Sequence, residues 1–239
     1  MAVFMTGGGK APIVGKKASD FAVGESVFLN ENGTPVEYLV VNQGIPSDSS
    51  LYDSSCDGLW LLRKDISFSH KWDSINNDYE NSDIHAYLNA DFLALFDADT
   101  QAAIKQVKIP YQKGTGSGGS IASGSSGLST RIFLLSGYEL GYTTTNDSKL
   151  AVDGARLDYF TAGTGTTARN LRIAYKNGST IDWWTRSPGT SAVSNAFEVG
   201  TSGYISGQTV DSSYGIRPAL ILPSNAVFDE ETLLFKGVS

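Results

Sequence analysis

WWTRSPGTSAVSNAFEVGTSGYISGQTVDSSYGIRPALIL, residues 183–222, is the stretch around which the rest of the chain is organised. Its front, WWTRSPG at 183–189, combines two large aromatics, a planar cation and a turn. Its back, GIRPALIL at 215–222, predicts a buried strand entered through a glycine. Between them small polar residues alternate with a few apolar ones, and Gly200 and Gly203 bracket a predicted hairpin turn. In a two-residue alternation with local slips at the turns, Ala196, Val199, Ile205 and Val210 point inward. Thr190, Ser191, Ser194, Asn195, Phe197, Glu198, Thr201, Tyr204, Ser206, Gln208, Asp211, Ser213 and Tyr214 then face solvent at one end of the domain. Tyr and Phe set among Ser, Asn, Thr and Gly have the composition of a paratope, with rigid aromatic area beside adaptable hydrogen bonding. The alternative is an ordinary polar hairpin.

The W-x-R-S-P segment at 184–188, the polar hairpin and the G-I-R-P-A-L run at 215–220 carry a family resemblance. In this order they resemble the C-terminal part of C-type-lectin-like domains of the formylglycine-generating-enzyme type. Within that group the chain is most similar to the variable proteins of diversity-generating retroelements and to related phage-tail and bacterial domains. The S-x-I-x-x-[YW]-L-N pattern at 82–89 extends the resemblance into the first half. The resemblance implies an α+β, C-type-lectin-like fold of small antiparallel sheets with two helices and long loops. It also implies a packed Trp183, with Arg186 and Arg217 held by carboxylates or carbonyls near the core. Residues 216–222 are expected to form a central strand, and the hairpin a ligand-binding face.

Composition narrows the function classes. The 239 residues suffice for one large domain with a real core, and 41% hydrophobic content with 11% aromatics argues against disorder. A formal charge of −7 argues against a protein that wraps phosphate backbones, which needs clustered Lys and Arg. The single Cys56 excludes an intrachain disulfide and a multi-cysteine zinc site. No apolar run reaches membrane-spanning length, and glycines stand where a signal peptide needs its apolar segment.

Along the chain, residues 1–20 read either as a flexible terminus or as an arm that docks on neighbouring subunits or a particle. In the second case Met1, Val3, Phe4, Met5, Ile13 and Val14 are what it would bury. The ligand-binding domain proper is expected over 21–239, opening with strands 26–30 and 36–42 joined at Asn32-Gly33-Thr34. Residues 48–58 read as a polar loop and 59–66 as a buried strand. Ile84, Tyr87, Leu88, Phe92, Leu95 and Phe96 fall at helical spacing over 82–96, with Ser82 as N-cap. A second helix is expected from Asp97 or Asp99, carrying Ile104 and Val107 and stopped by Pro110. Short strands with two early helices suit an α+β domain. Residues 114–130, almost entirely Gly, Ser and Thr, predict a mobile surface loop. Strands are expected at 131–136, 157–160 and 171–175, with a polar excursion at 141–154.

Reactive chemistry finds little support. Gly114-x-Gly116-x-x-Gly119 matches a dinucleotide fingerprint, even with Glu139 about twenty residues on, but no helix pattern follows it. Gly163-Thr164-Gly165 fails for the same reason. Asp73, Asp78, Glu80 and Asp83 could offer oxygens to calcium, but the EF-hand spacing is absent and a solvated acidic loop is commoner. The E-P-N, Q-P-D and W-N-D tripeptides of calcium-dependent sugar-binding lectins do not occur. No G-x-S-x-G elbow is present. His85 sits inside the amphipathic helix, and His70 lies beside Lys71-Trp72 with nothing to mark it as a base. Formylglycine-generating enzymes use paired reactive cysteines, so a lone Cys56 carries over the scaffold without the oxidase chemistry.

The sequence therefore predicts a non-enzymatic binding protein needing no cofactor and no metal, with a cell-surface protein or glycan as ligand. The resemblance points to a phage tail receptor-binding protein diversified by a retroelement, located on the virion. It also implies a homo-oligomer, with a trimer summing weak sites by avidity. Nucleic-acid binding and membrane insertion are not expected. Two alternatives stand: a bacterial cell-surface adhesin module of the same fold, and an enzyme on the formylglycine-generating scaffold. A tightly bound metal or a strongly shifted Cys56 thiol would favour the enzyme.

Overall fold

The structure is a computed structural model, and it describes residues 12–47, 50–116 and 118–239. Met1, Val3, Phe4 and Met5 of the expected arm lie outside these residues, as do Asp48 and Ser49 of the first loop and Ser117 of the glycine-rich segment.

The two largest sheets have four and five strands. The first is antiparallel, in the order Ala219–Leu222, Leu59–Arg63, Thr34–Gln43, Ser26–Glu31. Its hairpin turns at Asn32 and Gly33, both with positive φ, the pairing that matches the natural twist of two strands. The second runs Ile205–Thr209, Asn195–Val199, Trp183–Pro188, Ser213–Gly215, Ser69–Lys71. A three-stranded sheet pairs Lys16–Lys17 with Ala226–Phe228 and then Phe235–Val238, so the body of the fold takes in residues ahead of Phe21. The buried side chains form one continuous cluster.

The expected α+β, C-type-lectin-like class is not what forms. The chain is β-rich, with many short strands in several small sheets and, among the described residues, three short α-helices. The reason lies in the segments expected to be helical. Over 82–96 the Ser82 hydroxyl does cap the start, accepting from the His85 N–H. The α-helix nevertheless covers only Asp83–Tyr87, widens to a π turn over Leu88–Phe92 and tightens to a 3-10 turn over Leu93–Leu95. The second helix, Ala98–Ala103, is capped by Asp97 and ends at Ile104, so Val107 belongs to the strand Val107–Ile109.

Other expectations are corrected in the same way. Residues 114–130 are built in: Tyr111–Lys113 pairs with Ser120–Ala122, and Leu128–Thr130 pairs with Val107–Ile109. Gly116 donates its N–H to Asn77 Oδ1 at 2.7 Å, and a Cβ there would stand 1.8 Å from the Gly189 carbonyl oxygen. Residues 131–136 are buried except for half-buried Arg131, yet they form no strand beyond one bridge at Phe133. Side chains satisfy that backbone instead. Asn89 Oδ1 accepts from the Arg131 and Ile132 N–H groups, and Tyr79 Oη accepts from that of Leu134. Residues 157–160 form a turn, and 171–175 begin in the helix Thr166–Arg172. A helix thus does follow Gly163-Thr164-Gly165, but it is only 7 residues long.

The GIRPALIL run divides between the sheets. Gly215 ends a strand of the second sheet, and Ala219–Leu222 forms the edge of the first rather than a centre. Pro218 cannot donate to a ladder, and its carbonyl accepts from the Arg63 N–H at 2.9 Å. Arg217 straps the crossing: its Nε reaches the Arg63 and Lys64 carbonyls, and its guanidinium lies 5.3 Å from the Trp183 ring.

Candidate functional site

The strand Trp183–Pro188 shows what the buried polar residues of the motif do. A register shift between Trp184 and Pro188 breaks its ladder, and the Thr185 hydroxyl repairs the gap by donating to the Phe197 carbonyl at 2.7 Å. The bulge sends Arg186 into the core, where all its N–H groups find acceptors. Nη1 and Nη2 donate to the two oxygens of Glu139 at 2.5 and 2.7 Å. The carbonyls of Pro110, Leu134 and Asp153 take the remaining donors. Glu139 also accepts from Tyr52 Oη and from the Ser136 N–H. Beside it the fully buried Asp153 accepts from the Ser187 hydroxyl, and burial raises its carboxyl to about 7. Every partner here is part of the chain, so the cluster is a brace that joins the loops at 136–139 and 153–155 to the second sheet.

The outer face of that sheet is different. Ser206 stands opposite Glu198, Glu198 opposite Trp184, and Tyr214 opposite His70. The Trp184 and Tyr214 rings meet edge to face with centroids 4.8 Å apart, which completes a row across all the strands. At its far end His70 and Phe68 pack on Tyr87, 5.2 and 4.5 Å between centroids. There a groove of about 710 Å³ opens between Ser69–Lys71 and the helix, lined by His70, Lys71, Asp83, Tyr87, Asp91 and Ser213.

Glu198 is the unusual member of the row. It is 4% exposed, and its Oε1 accepts from Ser206 Oγ at 2.7 Å. Oε2 has no hydrogen-bond partner, and among the described residues no salt bridge reaches the carboxylate. Burial, opposed by Ser206 and Gln208 and reinforced by the charge of Asp182, pushes its carboxyl up to about 7. Burial and then the charges of Glu198 and Asp182 push the Tyr214 phenol upward.

The residues expected to face solvent separate into groups. Glu198, Ser206, Gln208 and Tyr214 come together on the outer face, with Ser213 at the groove. Thr201 and Tyr204 lie at the hairpin end. Tyr204 is 46% exposed, with the Arg169 guanidinium 4.6 Å from its ring. Gly203 is obligatory at that turn: its φ is +77°, and a Cβ would meet the Arg169 carbonyl oxygen at 2.2 Å. Thr190, Ser191 and Asn195 lie at the opposite end, near Lys149, and Ser194 and Asp211 are exposed. Two expectations fail. Phe197 is 1% exposed and Glu198 is buried, because both faces of the Asn195–Val199 strand are covered. Ala196, Val199, Ile205 and Val210 are buried as expected, although Ala196 and Val199 lie on opposite faces of their strand. Sequence reasoning missed Trp184, His70 and Tyr87 as members of the row, since only sheet register joins residues so far apart in the chain.

The remaining reactive candidates have structural employment. Cys56 is fully buried, and burial pushes its thiol to about 12, the direction that removes the nucleophilic thiolate. Asp73 is held below the usual carboxylate range: burial opposes this, but the N–H groups of Asn76, Ile75 and Asp83 prevail. His85 lies between the Glu80 carbonyl and the Thr130 hydroxyl. Among the described residues no three His, Cys, Asp or Glu side chains converge as metal ligands, and no helix is long and apolar enough to cross a membrane.

Compared with known proteins, residues 57–224 match the model of a domain of unknown function, DUF6273. No curated protein and no solved structure matches significantly. The matched region takes in the whole row and the Arg186 brace except Tyr52, and leaves out the hairpin Ser26–Gln43. Because it spans more than half of the chain, the protein belongs to the DUF6273 family.

Proposed function

We propose that this is a non-enzymatic binding protein that grips its ligand through the outer face of the five-stranded sheet. The observation that carries the reading is the row Ser206, Glu198, Trp184, Tyr214, His70, Tyr87. It sets aromatic area beside polar groups and contains a buried carboxylate oxygen that no group of the chain satisfies. Glu198 and Trp184 are buried within the row, and its accessible rings are the half-buried Tyr214, His70 and Tyr87 beside the groove lined by Lys71, Asp83 and Ser213. A strongly shifted Cys56 thiol is the sign expected of an enzyme, but the shift runs upward, away from the reactive thiolate, and gives an oxidase-like reading no support. The resemblance carried by the motifs at 184–188 and 215–220 supports a cell-surface protein or glycan as ligand. It also supports a receptor-binding component of a phage tail, diversified by a retroelement and acting as a homo-oligomer.

The test is a binding screen of the purified protein against whole cells and purified surface fractions, followed by Tyr214→Ala. Tyr214 is half-buried against Trp184, so its loss is expected to lower stability by about 1 kcal/mol and to reduce binding by about 2 kcal/mol or more. Full binding by a folded Tyr214→Ala protein contradicts the proposal.

A further inference from the structure

The strand Ile205–Thr209 is an edge of the five-stranded sheet, paired on one side only, with Asn195–Val199. At the two ends of this hairpin the Gly200 N–H donates to the Tyr204 carbonyl and the Val210 N–H to the Ser194 carbonyl. Tyr204 and Val210 thus turn backbone groups toward Asn195–Val199, and so do Ser206 and Gln208 between them. Alternation aims the N–H and C=O groups of Ile205 and Gly207, and the N–H of Thr209, away from the sheet. Among the described residues none of these groups finds a hydrogen-bond partner. Elsewhere the chain covers or blunts its edges. Ala219 exchanges both backbone bonds with Phe133, the Ile221 carbonyl accepts from the Lys105 N–H, and Phe28 donates its N–H to the Leu233 carbonyl. The opposite edge of the five-stranded sheet, Ser69–Lys71, is 3 residues long and carries Lys71. Ile205–Thr209 has none of these protections. It is 5 residues of ISGQT, without a charge or a proline, and its register against Asn195–Val199 is unbroken. A Cβ placed on Gly207 would meet nothing within 4 Å, so the edge stands open.

A bare, uncharged edge is a template for another strand. The strand's own sequence decides which. When two copies are set antiparallel about Gly207, every residue finds an opposite: Gly207 faces Gly207, Ile205 faces Thr209 and Ser206 faces Gln208. Ile205, Gly207 and Thr209, whose free groups point outward, then occupy the hydrogen-bonded positions of the new ladder. The exposed Ser206 hydroxyl comes opposite a Gln208 amide, and no charge meets its like. The flanks are complementary too. Arg169 lies against Tyr204 just before the strand, Asp211 is exposed just after it, and among the described residues neither has an ion-pair partner. Antiparallel pairing brings the Arg169 of each copy to the end where the Asp211 of the other stands. We propose that Ile205–Thr209 pairs with its counterpart in a second copy of this chain, merging the two five-stranded sheets into one continuous sheet about a two-fold axis. That axis runs perpendicular to the sheet, so both outer faces look the same way and can engage one surface together. The pairing needs no ligand and is independent of what the outer face binds.

Sedimentation velocity of the full chain over about a hundredfold range of concentration is expected to show monomer passing into dimer, and no larger species. Gly207→Lys enters open space at a residue whose φ is not positive, so the monomer folds as before. In the pair it sets two ammonium groups across the axis, and it is expected to weaken the dimer about tenfold or more. Thermal unfolding of the dilute protein is expected to stay unchanged in this variant. Oxidation of Gly207→Cys reads the register. Opposed Cα atoms in a hydrogen-bonded antiparallel pair stand about 5.5 Å apart, within disulfide reach, so this variant is expected to lock into a covalent dimer. Ser206→Cys lies two positions out of step with its own counterpart and is expected to stay unlinked, and the native Cys56 is buried. A protein that stays monomeric at every concentration leaves the edge to a strand of some other protein and overturns the proposal. A trimer, a dimer indifferent to Gly207→Lys, or a Ser206→Cys protein that links as readily as Gly207→Cys overturns it as well. Each of these failures leaves the reading of the outer face standing, since Tyr214→Ala tests that separately.

Discussion

Glu139 and Glu198 are two buried glutamates, both hydrogen-bonded within the chain, and they differ in what faces them. Glu139 meets a guanidinium in a two-pronged pair, a tyrosine hydroxyl and a backbone N–H. Glu198 meets the Ser206 hydroxyl at Oε1 with Gln208 beside the carboxylate, has no counter-charge, and keeps Oε2 without a hydrogen-bond partner. The first arrangement closes on itself and fixes a fold. The second leaves chemistry over for something else. Burial alone therefore does not distinguish these two glutamates, whereas the partners they find do.

The brace is where substitution is expected to do most harm. Arg186→Met leaves Glu139 without its counter-charge and takes the Arg186 donors from three carbonyls, and breaking a buried pair in this way costs about 3–5 kcal/mol. Chemical denaturation measures it, and a loss under about 1 kcal/mol would mean that the brace is not the keystone of the second sheet. Gly116→Ala comes next. The new methyl collides with the backbone of Gly189, which cannot swing aside, so a loss of about 1–3 kcal/mol is expected. A stability near that of the parent would show residues 114–119 to be as loose as their composition suggests. Cys56→Ser is expected to have the smallest effect. The serine hydroxyl can donate to the Lys108 carbonyl as the thiol does at 3.2 Å, so ligand binding stays unchanged and stability shifts by about 1 kcal/mol or less.

How far the fold was legible depended on where each segment finds its partners. The hairpin of Asn195–Val199 and Ile205–Thr209 was legible because alternation and turn glycines are local signals. The fixation of Arg186 and Arg217 by carboxylates or carbonyls was legible as well. Which carboxylate holds Arg186 was not, since Glu139 lies 47 positions away and nothing in its neighbourhood advertises a partner. Residues 131–136 look like a strand because they are apolar, but their hydrogen bonds go to Asn89 and Tyr79 side chains, which no propensity encodes. Residues 114–130 look disordered because they bury little side chain, yet their order comes from backbone contacts that glycine permits. The α+β expectation failed on the helices, which are present but too short and irregular to set the class. Of the candidate face, Ser206, Gln208, Tyr214 and Glu198 were legible as a local cluster. Phe197 was misplaced because alternation assumes one open face, and this strand is covered on both.

The pairing of Glu139 with Glu198 also yields the most direct test. Glu198 titrates near 7 in the folded chain, above its ordinary value of 4.5. Its contribution to stability is thus fully present below about 4.5 and is lost as pH rises through 7. Glu198→Gln removes that loss, so relative to the parent it is expected to gain on the order of 2 kcal/mol between pH 5 and pH 8. Glu139→Gln leaves the Arg186 charge without its counter-ion and is expected to lose about 3 kcal/mol at any pH where the parent folds. Thermal unfolding of the two variants beside the parent at pH 8, with whole-cell binding measured on the same samples, settles the matter. The account predicts that Glu198→Gln melts at or above the parent and loses binding, while Glu139→Gln melts well below it. A Glu198→Gln protein that binds cells in full, or that melts as low as Glu139→Gln, would contradict it.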